Sequence, residues 1–471
     1  MNRHLDVSTF IEFEYNFNLH RRKIQGVYIW DYIRKEVYNQ INDELLEERT
    51  IKSEKENPLR SIFTQIKETL YRVWHSYKYQ VTQNCDILFL GHPRRKKVGK
   101  YYWDIYCDAI INKIDDQCSY NYFETPFRGQ HFHPSLTDNI LYLDYLNIAL
   151  KLLPYFKTKV IDHNEFKKIK YIEHLLFKNF NKNVDLKVII RKYLNRYEFV
   201  QRSIRKLLDI TNPRALIVVD SYNFIRKLFV EKANERNIPT IELQHGTVGK
   251  YHMGYNYYPG TEINSFPKYF FAWGKYWIMN TTFPVGTKVK VTGFPYFEKK
   301  LRESNNSKVQ KSEKNILVIS QWTVGFQIFN FINNLAEHIS DYNIFYKLHP
   351  AEYSEKYNYK NRTISNNISI ITDEYDLYDL FKTCKFQIGV YSTALIEGFE
   401  FGLKTFILPL PGHEIYSDLL NKEFIVVNEK NTFIDNLSDT RLKNQYSDHF
   451  FKKGSEYITT SEIFHIINQN F

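Results

Sequence analysis

Two stretches of the chain alternate short apolar runs with longer segments of helical spacing. The first starts near residue 213 and has the apolar runs RALIVVD, IPTIELQHG, YFFAWG and KVKVTGFP. The second starts at residue 315 and has the apolar runs NILVIS, YNIFYKLHP, ISIIT, FQIGVYS, KTFILPLP and FIVVN. Amphipathic segments such as YNFIRKLFVEKANERN separate the runs. Strands that alternate with helices predict two parallel sheets with right-handed crossovers.

The rest of the chain adds helices and one early strand. Residues 1–80 and 104–210 have mostly helical spacing, and CDILFLG, which starts at Cys85, predicts a buried strand. The Lys-, Ser- and Asn-rich piece 299–314 is typical of an interdomain linker. We therefore predict an α/β protein with two doubly wound domains that face each other across a cleft, and a helical N-terminal extension.

The same patterns set the predicted domain boundaries. The regions are a helical N-terminal segment at 1–80, a first doubly wound domain with a helical insertion at 81–298, a second at 315–440, and a helical tail at 441–471 that can cross back.

Composition narrows the class of protein. The 471 residues are 43% hydrophobic and 25% charged, which excludes wholesale disorder. The 4 Cys lack a C-x-x-C spacing, so a disulfide scaffold and a structural zinc site are not expected. The N-terminus lacks a signal-peptide pattern and no apolar run approaches the roughly 18 residues of a membrane span, so we expect a protein inside the cell. The formal charge of +11 suits nucleic acid, an anionic membrane or an anionic substrate.

Ligands of open parallel sheets bind beyond the carboxyl ends of the strands, so the residues after each apolar run are informative. In LQHGTVG, His245 stands where a strand ends, and Gly246 lets the backbone approach a ligand closely. An imidazole in that position is a candidate general base near neutral pH. The competing interpretation is a histidine that only hydrogen-bonds the turn.

A second candidate lies in YKLHP. Lys347 and His349 occupy alternate positions at a strand end, so they project to the same side and suit a phosphate or diphosphate. Pro350 ends the strand and fixes the turn. An incidental His-Pro turn is the alternative, because the dipeptide also occurs at His92–Pro93.

A third candidate lies in GVYSTALIEG. Ser392 and Thr393 stand where a strand ends and a helix begins, and hydroxyls at a helix N-terminus form an anion site together with the unpaired N–H groups. Glu397 follows Thr393 by one helical turn and could accept hydrogen bonds from a ribose diol. A simple helix N-cap is the alternative.

The segment GHPRRKKVGKYYWD at 91–104 predicts a basic loop after the first strand. Its guanidinium groups suit an anionic acceptor or a lipid phosphate, and a solvated loop is the competing interpretation. We name Arg94, Arg95, Gly246 and Lys250 as contacts for an acceptor or a phosphate.

Several well-known motifs are missing from the sequence. It has no G-x-x-x-x-G-K-[ST] loop, no G-x-G-x-x-G after a strand, no H-E-x-x-H and no G-x-S-x-G. Kinase, simple dehydrogenase and serine hydrolase chemistry therefore lack support.

In their order along the chain, the motifs resemble those of two-domain GT-B glycosyltransferases of bacterial capsule and surface-polysaccharide synthesis. KLHP resembles the His-Pro motif, and YST the Ser/Thr motif, of bacterial sialyltransferases and Kdo transferases. QHG is similar to the His-Gly element of CDP-glycerol glycerophosphotransferases. The resemblance covers about residues 213–420.

The resemblance implies a metal-independent glycosyltransferase of two Rossmann-like domains. The N-terminal domain would hold the acceptor, with His245 as the catalytic base or a phosphate contact. The C-terminal domain would bind the nucleotide-sugar donor, and the implied donor-binding residues are Lys347, His349, Pro350, Ser392, Thr393 and Glu397. No cofactor is expected, since the donor is a substrate, and a CMP-linked sugar is favoured over a UDP-linked one.

Three other functions stay open. A CDP-polyol phosphotransferase of teichoic-acid-like capsule synthesis would use the same fold and motifs, and a UDP-sugar 2-epimerase shares the fold. A non-catalytic basic binding protein would fit the charge.

We expect a nucleotide-sugar and a glycan or lipid-linked acceptor as partners, and no nucleic acid, because no RNA-binding signature is present. The expected location is cytoplasmic, with peripheral association at the inner membrane face.

Overall fold

The computed structural model describes residues 6–42, 70, 84–93, 95–114, 116–127, 130–137, 140–156, 160–360, 364–437 and 448–469. The chain forms two compact units. The first unit comprises Met1–Tyr296 and Phe451–Phe471, and the second comprises Phe297–Phe450. The C-terminal helix thus belongs to the first unit, although the second unit precedes it along the chain.

A seven-stranded parallel sheet forms the centre of the first unit. In sheet order its strands are β5 (Ile140–Tyr142), β4 (Tyr120–Glu124), β1 (Ile87–Leu90), β6 (Ala215–Val219), β7 (Thr240–Leu243), β8 (Tyr269–Ala272) and β9 (Lys288–Val291). The runs ILFL, ALIVV, TIEL and YFFA are buried at every position. Continuous burial is expected of parallel strands whose two faces are both covered, and it explains why these strands read as apolar runs.

Helices cover this sheet. They are α1 (Val7–Asn16), α2 (Trp30–Ile41), α3 (Asp108–Ile114), α4 (Asp144–Phe156), α5 (His163–Phe180), α6 (Leu186–Thr211), α7 (Phe224–Asn234) and the C-terminal α14 (Ser455–Gln469). Aspartate N-caps begin two of them: Asp162 accepts the Glu165 N–H and Asp185 accepts the Val188 N–H. The N-terminal helices α1 and α2 share one hydrophobic core with the strands, so the predicted N-terminal extension is part of this unit.

Two features of the first unit differ from the sequence prediction. Residues 104–210 are mostly helix as predicted, but they also contain β4 and β5. The segment YNYFE of β4 mixes polar and aromatic residues, so it does not read as an apolar run. The predicted basic loop at 91–104 contains an antiparallel hairpin, β2 (Lys96–Val98) and β3 (Tyr101–Trp103). Gly99 allows the tight turn between them, because its φ is 63°.

The second unit has a six-stranded parallel sheet. In sheet order its strands are β12 (Ile368–Ile371), β11 (Asn343–Lys347), β10 (Ser312–Ile319), β13 (Cys384–Gly389), β14 (Lys404–Ile407) and β15 (Ile425–Val426). The helices are α8 (Pro295–Asn305), α9 (Gly325–Ala336), α10 (Lys356–Lys360), α11 (Leu377–Thr383), α12 (Thr393–Glu400) and α13 (Lys430–Leu437). Residues 299–314, predicted as a linker, instead hold most of α8 and the start of β10.

Both sheets are doubly wound, which confirms the predicted fold class of two Rossmann-like α/β domains. In each sheet the next two strands are added on one side of the first strand and the later strands on its other side, so the order of addition reverses beside the first strand. The reversal falls between β1 and β6 in the first unit and between β10 and β13 in the second. Ligands of such sheets bind beyond the carboxyl ends of the strands at this reversal, so these two edges are the places to seek a site. Among the described residues, no helix has both the length and the apolar composition to cross a membrane.

Gly91, directly after β1, leaves no room for a side chain. A Cβ atom there would lie 1.6 Å from the Tyr122 hydroxyl oxygen and 2.6 Å from Asp104 Oδ2. We expect Gly91→Ala to lower the free energy of unfolding by about 1–3 kcal/mol, because it overpacks a buried edge. Gly246 also lies just beyond a strand of this sheet but has open space around its Cα, so Gly246→Ala should change stability by less than about 0.5 kcal/mol. Urea denaturation of both variants measures the difference, and equal stabilities would contradict this packing account.

Candidate functional site

In the second unit, the N-terminus of α12 lies at the carboxyl end of β13. Ser392 is the N-cap, and its Oγ accepts the Ala394 N–H at 3.3 Å. Thr393 is the first helical residue, and both hydroxyl residues are partly exposed. The Tyr416 hydroxyl donates to the Ser392 carbonyl oxygen at 2.5 Å and so fixes the turn. The unpaired N–H groups and the helix dipole make this end of α12 suited to an anion.

The loop after β10 is tied to the loop after β13. Gln321 Oε1 accepts the Tyr391 N–H at 2.8 Å, and the hydroxyls of Thr323 and Tyr391 hydrogen-bond each other. Trp322, between Gln321 and Thr323, is 47% exposed. These residues were not predicted from the sequence, although they follow the strand NILVI, and ligands of parallel sheets bind beyond the carboxyl ends of the strands.

His349 follows β11 and caps a short 3-10 helix, Pro350–Glu355. Its Nδ1 accepts the Ala351 backbone N–H at 3.1 Å, and the His349 backbone N–H donates to Glu352 Oε2 at 2.9 Å. Because Nδ1 is an acceptor, the neutral ring carries its proton on Nε2. An N–H donor of this kind suits a phosphate oxygen. β11 and β13 flank β10, so His349 and Ser392 lie at the same edge of the sheet, about two strand spacings (~10 Å) apart.

Glu352 holds the turn that carries His349. Its carboxylate is buried and also accepts the hydroxyls of Ser320 at 3.1 Å and Tyr359 at 2.7 Å. Glu352→Ala would leave these donors without their acceptor, so we expect the free energy of unfolding to fall by about 1–3 kcal/mol. Glu337→Ala, at an exposed position just beyond α9, is the control and should stay within about 0.5 kcal/mol of the parent. Urea denaturation tests this, and a neutral Glu352→Ala would mean that the turn does not depend on the carboxylate.

Two of the proposed donor-binding residues have partners inside the unit. Lys347 Nζ hydrogen-bonds the Thr372 carbonyl oxygen and donates to the Tyr375 carbonyl oxygen at 2.8 Å, which holds the loop after β12. Glu397 is 8% exposed and accepts the Tyr378 hydroxyl at 2.5 Å. Their roles toward a donor stay predictions, as do those of His349, Pro350, Ser392 and Thr393.

In the first unit, His245 follows β7 and lies among tyrosines. The Tyr222 hydroxyl is 3.1 Å from Nε2, the Tyr255 hydroxyl is 3.5 Å from Nδ1, and the Tyr106 hydroxyl donates to the His245 carbonyl oxygen at 2.9 Å. The ring of His92, from the loop after β1, stacks on the His245 ring with 6.1 Å between centroids. The carboxyl ends of β1, β6 and β7 thus bring together residues that are far apart in sequence.

Two carboxyl groups lie beneath these tyrosines. Glu242, on β7, is fully buried, and its carboxylate accepts the Tyr255 hydroxyl at 2.7 Å and both the N–H (3.1 Å) and the hydroxyl (2.5 Å) of Ser221. Burial raises the pKa of Glu242 to about 7. Asp220, at the end of β6, has a φ of 63°. Burial raises its pKa to about 6, against the opposing charges of Arg226 and Lys35.

This part of the site was not predicted from the sequence. Its signal was present, because Glu242 interrupts the otherwise apolar strand TIEL and Asp220 and Tyr222 directly follow the strand ALIVV. Ionisable groups with perturbed pKa values at a sheet edge are typical of functional sites.

The other predicted contacts of the first unit are scattered. Gly246 uses its carbonyl oxygen to accept the Gln244 side-chain amide at 2.8 Å, and Lys250 is exposed with its Nζ over the Tyr251 ring. Arg95 is 5% exposed and pairs with Glu124 at 2.5 Å, so a role in binding an external anion, which stays a prediction, would have to break that pair. Arg94 lies outside the described residues.

In the part of the chain that the structure describes, no cluster of three or more His, Cys, Asp or Glu side chains could hold a metal ion. Metal independence of the reaction stays a prediction.

Comparison with known proteins gives similarity to solved structures alone. No protein-family model matches the chain, and no curated protein matches it. UDP-N-acetylglucosamine 2-epimerase from Rickettsia bellii is 10% identical, with a TM-score of 0.47 over 83% of this chain and 97% of that one. The wall teichoic acid polymerase TagF is 12% identical, with a TM-score of 0.45 over 89% and 99% of the two chains. MurG of Acinetobacter baumannii is 12% identical, with a TM-score of 0.40 over 81% and 99%.

With TM-scores below 0.5, the similarity says nothing of the reaction.

Proposed function

We propose that this chain is a nucleotide-sugar-dependent glycosyltransferase whose acceptor is a surface-polysaccharide or lipid-linked glycan. The second unit binds the donor, and the first unit supplies His245 to the acceptor. The observation that carries the proposal is the set of hydrogen-bond donors at one edge of the second sheet: Nε2–H of His349 and the capped N-terminus of α12. The motif resemblance over residues 213–420 supports the same assignment.

The proposed chemistry is displacement at the anomeric carbon of the donor sugar. The acceptor hydroxyl forms a bond to that carbon while the bond from the carbon to the phosphate oxygen breaks. His245 takes the proton of the hydroxyl as general base. The charge that develops on the nucleotide is met by His349 and by the N–H groups at the start of α12, which are fixed before the reaction begins. In this proposal neither a metal nor a cofactor is needed, and the enzyme acts in the cytoplasm at the inner membrane face.

A thermal-shift experiment on the full chain tests donor binding. A ligand that binds only the folded state raises the melting temperature in proportion to the logarithm of its concentration over its Kd. CMP, CDP, UMP, UDP, GDP and ADP form the panel, and we expect one nucleotide class to stabilise the protein. CMP would identify a CMP-linked sugar donor and UDP or GDP an ordinary sugar nucleotide. No shift with any nucleotide, for a folded protein, would contradict the proposal.

The product distinguishes the proposal from its nearest competitor. Incubation with the matching donor and a glycan acceptor should give a glycoside that resists phosphodiesterase. A phosphodiester product with a CDP-alcohol donor would identify a polyol phosphotransferase instead, and conversion of the sugar nucleotide without an acceptor would identify an epimerase.

A further inference from the structure

The first unit contains a hydrogen-bonded path from His245 to a buried carboxylate. The Tyr255 hydroxyl stands between Nδ1 of His245, at 3.5 Å, and Oε1 of Glu242, at 2.7 Å. Among the described residues, no ion pair to Glu242 is present. Other buried carboxylates, such as Glu14 and Glu124, do form ion pairs. A buried carboxylate without a cationic partner is costly, so its presence beside a candidate base calls for a role.

The donors and acceptors along this path fix where its protons lie. A tyrosine hydroxyl has one proton, and Tyr255 donates it to the carboxylate of Glu242. The hydroxyl oxygen of Tyr255 therefore faces His245 with a lone pair, which calls for a proton on Nδ1. In a neutral ring Nε2 is then the acceptor, and it lies 3.1 Å from the Tyr222 hydroxyl, which can donate to it. Nε2 is consequently the basic nitrogen of His245.

A second arm, which runs from Nε2 of His245 through Tyr222 toward Asp220, lies on the opposite side of the ring from the first arm, formed by Tyr255 and Glu242. The Asp220 carboxylate lies near the Tyr222 hydroxyl, so this hydroxyl can turn from Nε2 to the carboxylate. When Nε2 takes a proton, both ring nitrogens become donors, and each then faces the oxygen of a tyrosine that donates to a carboxylate. The two arms thus stabilise the cationic ring without a direct ion pair.

We infer that Glu242 and Tyr255 are positioning residues that hold His245 in its Nδ1–H tautomer and leave Nε2 to accept the proton of the reaction. This rests on the proposed function, in which His245 is the general base, and names what orients it. Other titratable or charged groups surround this assembly. From the neighbouring elements these are Lys35, His92, Tyr106, Asp220, Tyr222, Arg226, Lys227 and His252.

Nitrogen-15 NMR of the full chain, labelled at histidine, tests the inference without a substrate. The His245 resonances are those that His245→Gln removes. In the parent protein, Nδ1 should have the shift of a protonated nitrogen and Nε2 that of an unprotonated one at a pH above the titration of the ring. In Tyr255→Phe this preference should be lost, and in Glu242→Gln the pH midpoint of His245 should fall, because a nearby negative charge favours the cation.

Tyr106→Phe is the matched control, because the Tyr106 hydroxyl donates to the backbone carbonyl oxygen of His245 and the substitution keeps the aromatic ring. It should leave both the tautomer and the midpoint unchanged. If Glu242→Gln fails to fold by circular dichroism, Tyr255→Phe decides the question alone. A tautomer and a midpoint that Tyr255→Phe leaves unchanged would overturn the inference. The proposed function is judged separately, since the NMR result does not depend on nucleotide binding or sugar transfer.

Discussion

Arg34→Met should lower the free energy of unfolding by about 3–5 kcal/mol, the usual cost of removing one partner of a buried ion pair. Arg34 Nη2 lies 2.6 Å from Glu14 Oε2, and both side chains are buried. The guanidinium also donates to the carbonyl oxygens of Met253 and Asn256 and lies over the Tyr257 ring. The substitution would leave the Glu14 carboxylate buried without its main cation. The pair joins α1 and α2 to the rest of the first unit, so the loss should appear as global destabilisation.

Lys192→Met supplies the control for this substitution. Lys192 pairs with Glu36 at 3.0 Å, but the two side chains are 38% and 27% exposed. A pair in that setting is worth about 1 kcal/mol or less. Urea denaturation followed by circular dichroism compares the variants with the parent. Equal losses for Arg34→Met and Lys192→Met would contradict the structural role of the buried pair.

The same pair gives a pH dependence. Burial would raise the pKa of Glu14, but the charges and hydrogen bonds of Arg34 and His20 outweigh it and lower the pKa to about 2 from an ordinary value of 4.5. A lowered pKa in the folded state stabilises the protein above pH 4.5 and loses that contribution as the pH falls toward 2. Stability of the parent should therefore fall in that window, and the fall should be smaller in Arg34→Met.

His349→Ala should weaken nucleotide binding by about 10- to 100-fold, which is the loss of one hydrogen bond to a charged group. In the proposed complex, Nε2–H of His349 donates to a phosphate oxygen. Isothermal titration calorimetry with the nucleotide that gives the largest thermal shift measures the effect. His338→Ala, at an exposed histidine of the same unit, should leave the affinity unchanged.

His349→Asn separates the two tasks of the side chain. An asparagine oxygen can still cap the turn by accepting the Ala351 N–H, but it places no donor where Nε2 lies. We expect this variant to keep parental stability and to bind nucleotide as weakly as His349→Ala. Parental affinity in His349→Asn would show that the ring only caps the turn.

The strands that are fully buried were predicted from the sequence. Strands such as ALIVV and YFFA are covered on both faces and therefore appear as unbroken apolar runs. The run FQIG corresponds to the buried part of β13, whereas KVKV corresponds to β9, an edge strand that is only partly buried. β4 and β5 were not predicted, because YNYFE mixes polar with aromatic residues and ILY has only three residues, all partly exposed. The start of β10 escaped for a related reason, since its first residues are exposed and polar.

The site also contains residues that could be predicted from the sequence and residues that could not. Residues directly after a strand, such as His245 and Ser392, could be chosen from the sequence because the rule for parallel sheets is local. Tyr255 could not, since its contacts with Glu242 and with His245 depend on how the loop after β7 folds back. Arg95 was predicted to contact an acceptor or a phosphate because of its neighbours in sequence. Its neighbours in sequence are basic, but its neighbours in space are the carboxylates of Glu124 and Asp108.

The most direct test of the central claim is a crystal structure of the full chain with the nucleotide that stabilises it most. The account predicts a phosphate within hydrogen-bond distance of His349 Nε2 and of the N–H groups or hydroxyls of Ser392 and Thr393. A nucleotide bound elsewhere, such as at the edge of the first sheet beside His245 and Tyr222, would contradict the assignment of the donor to the second unit.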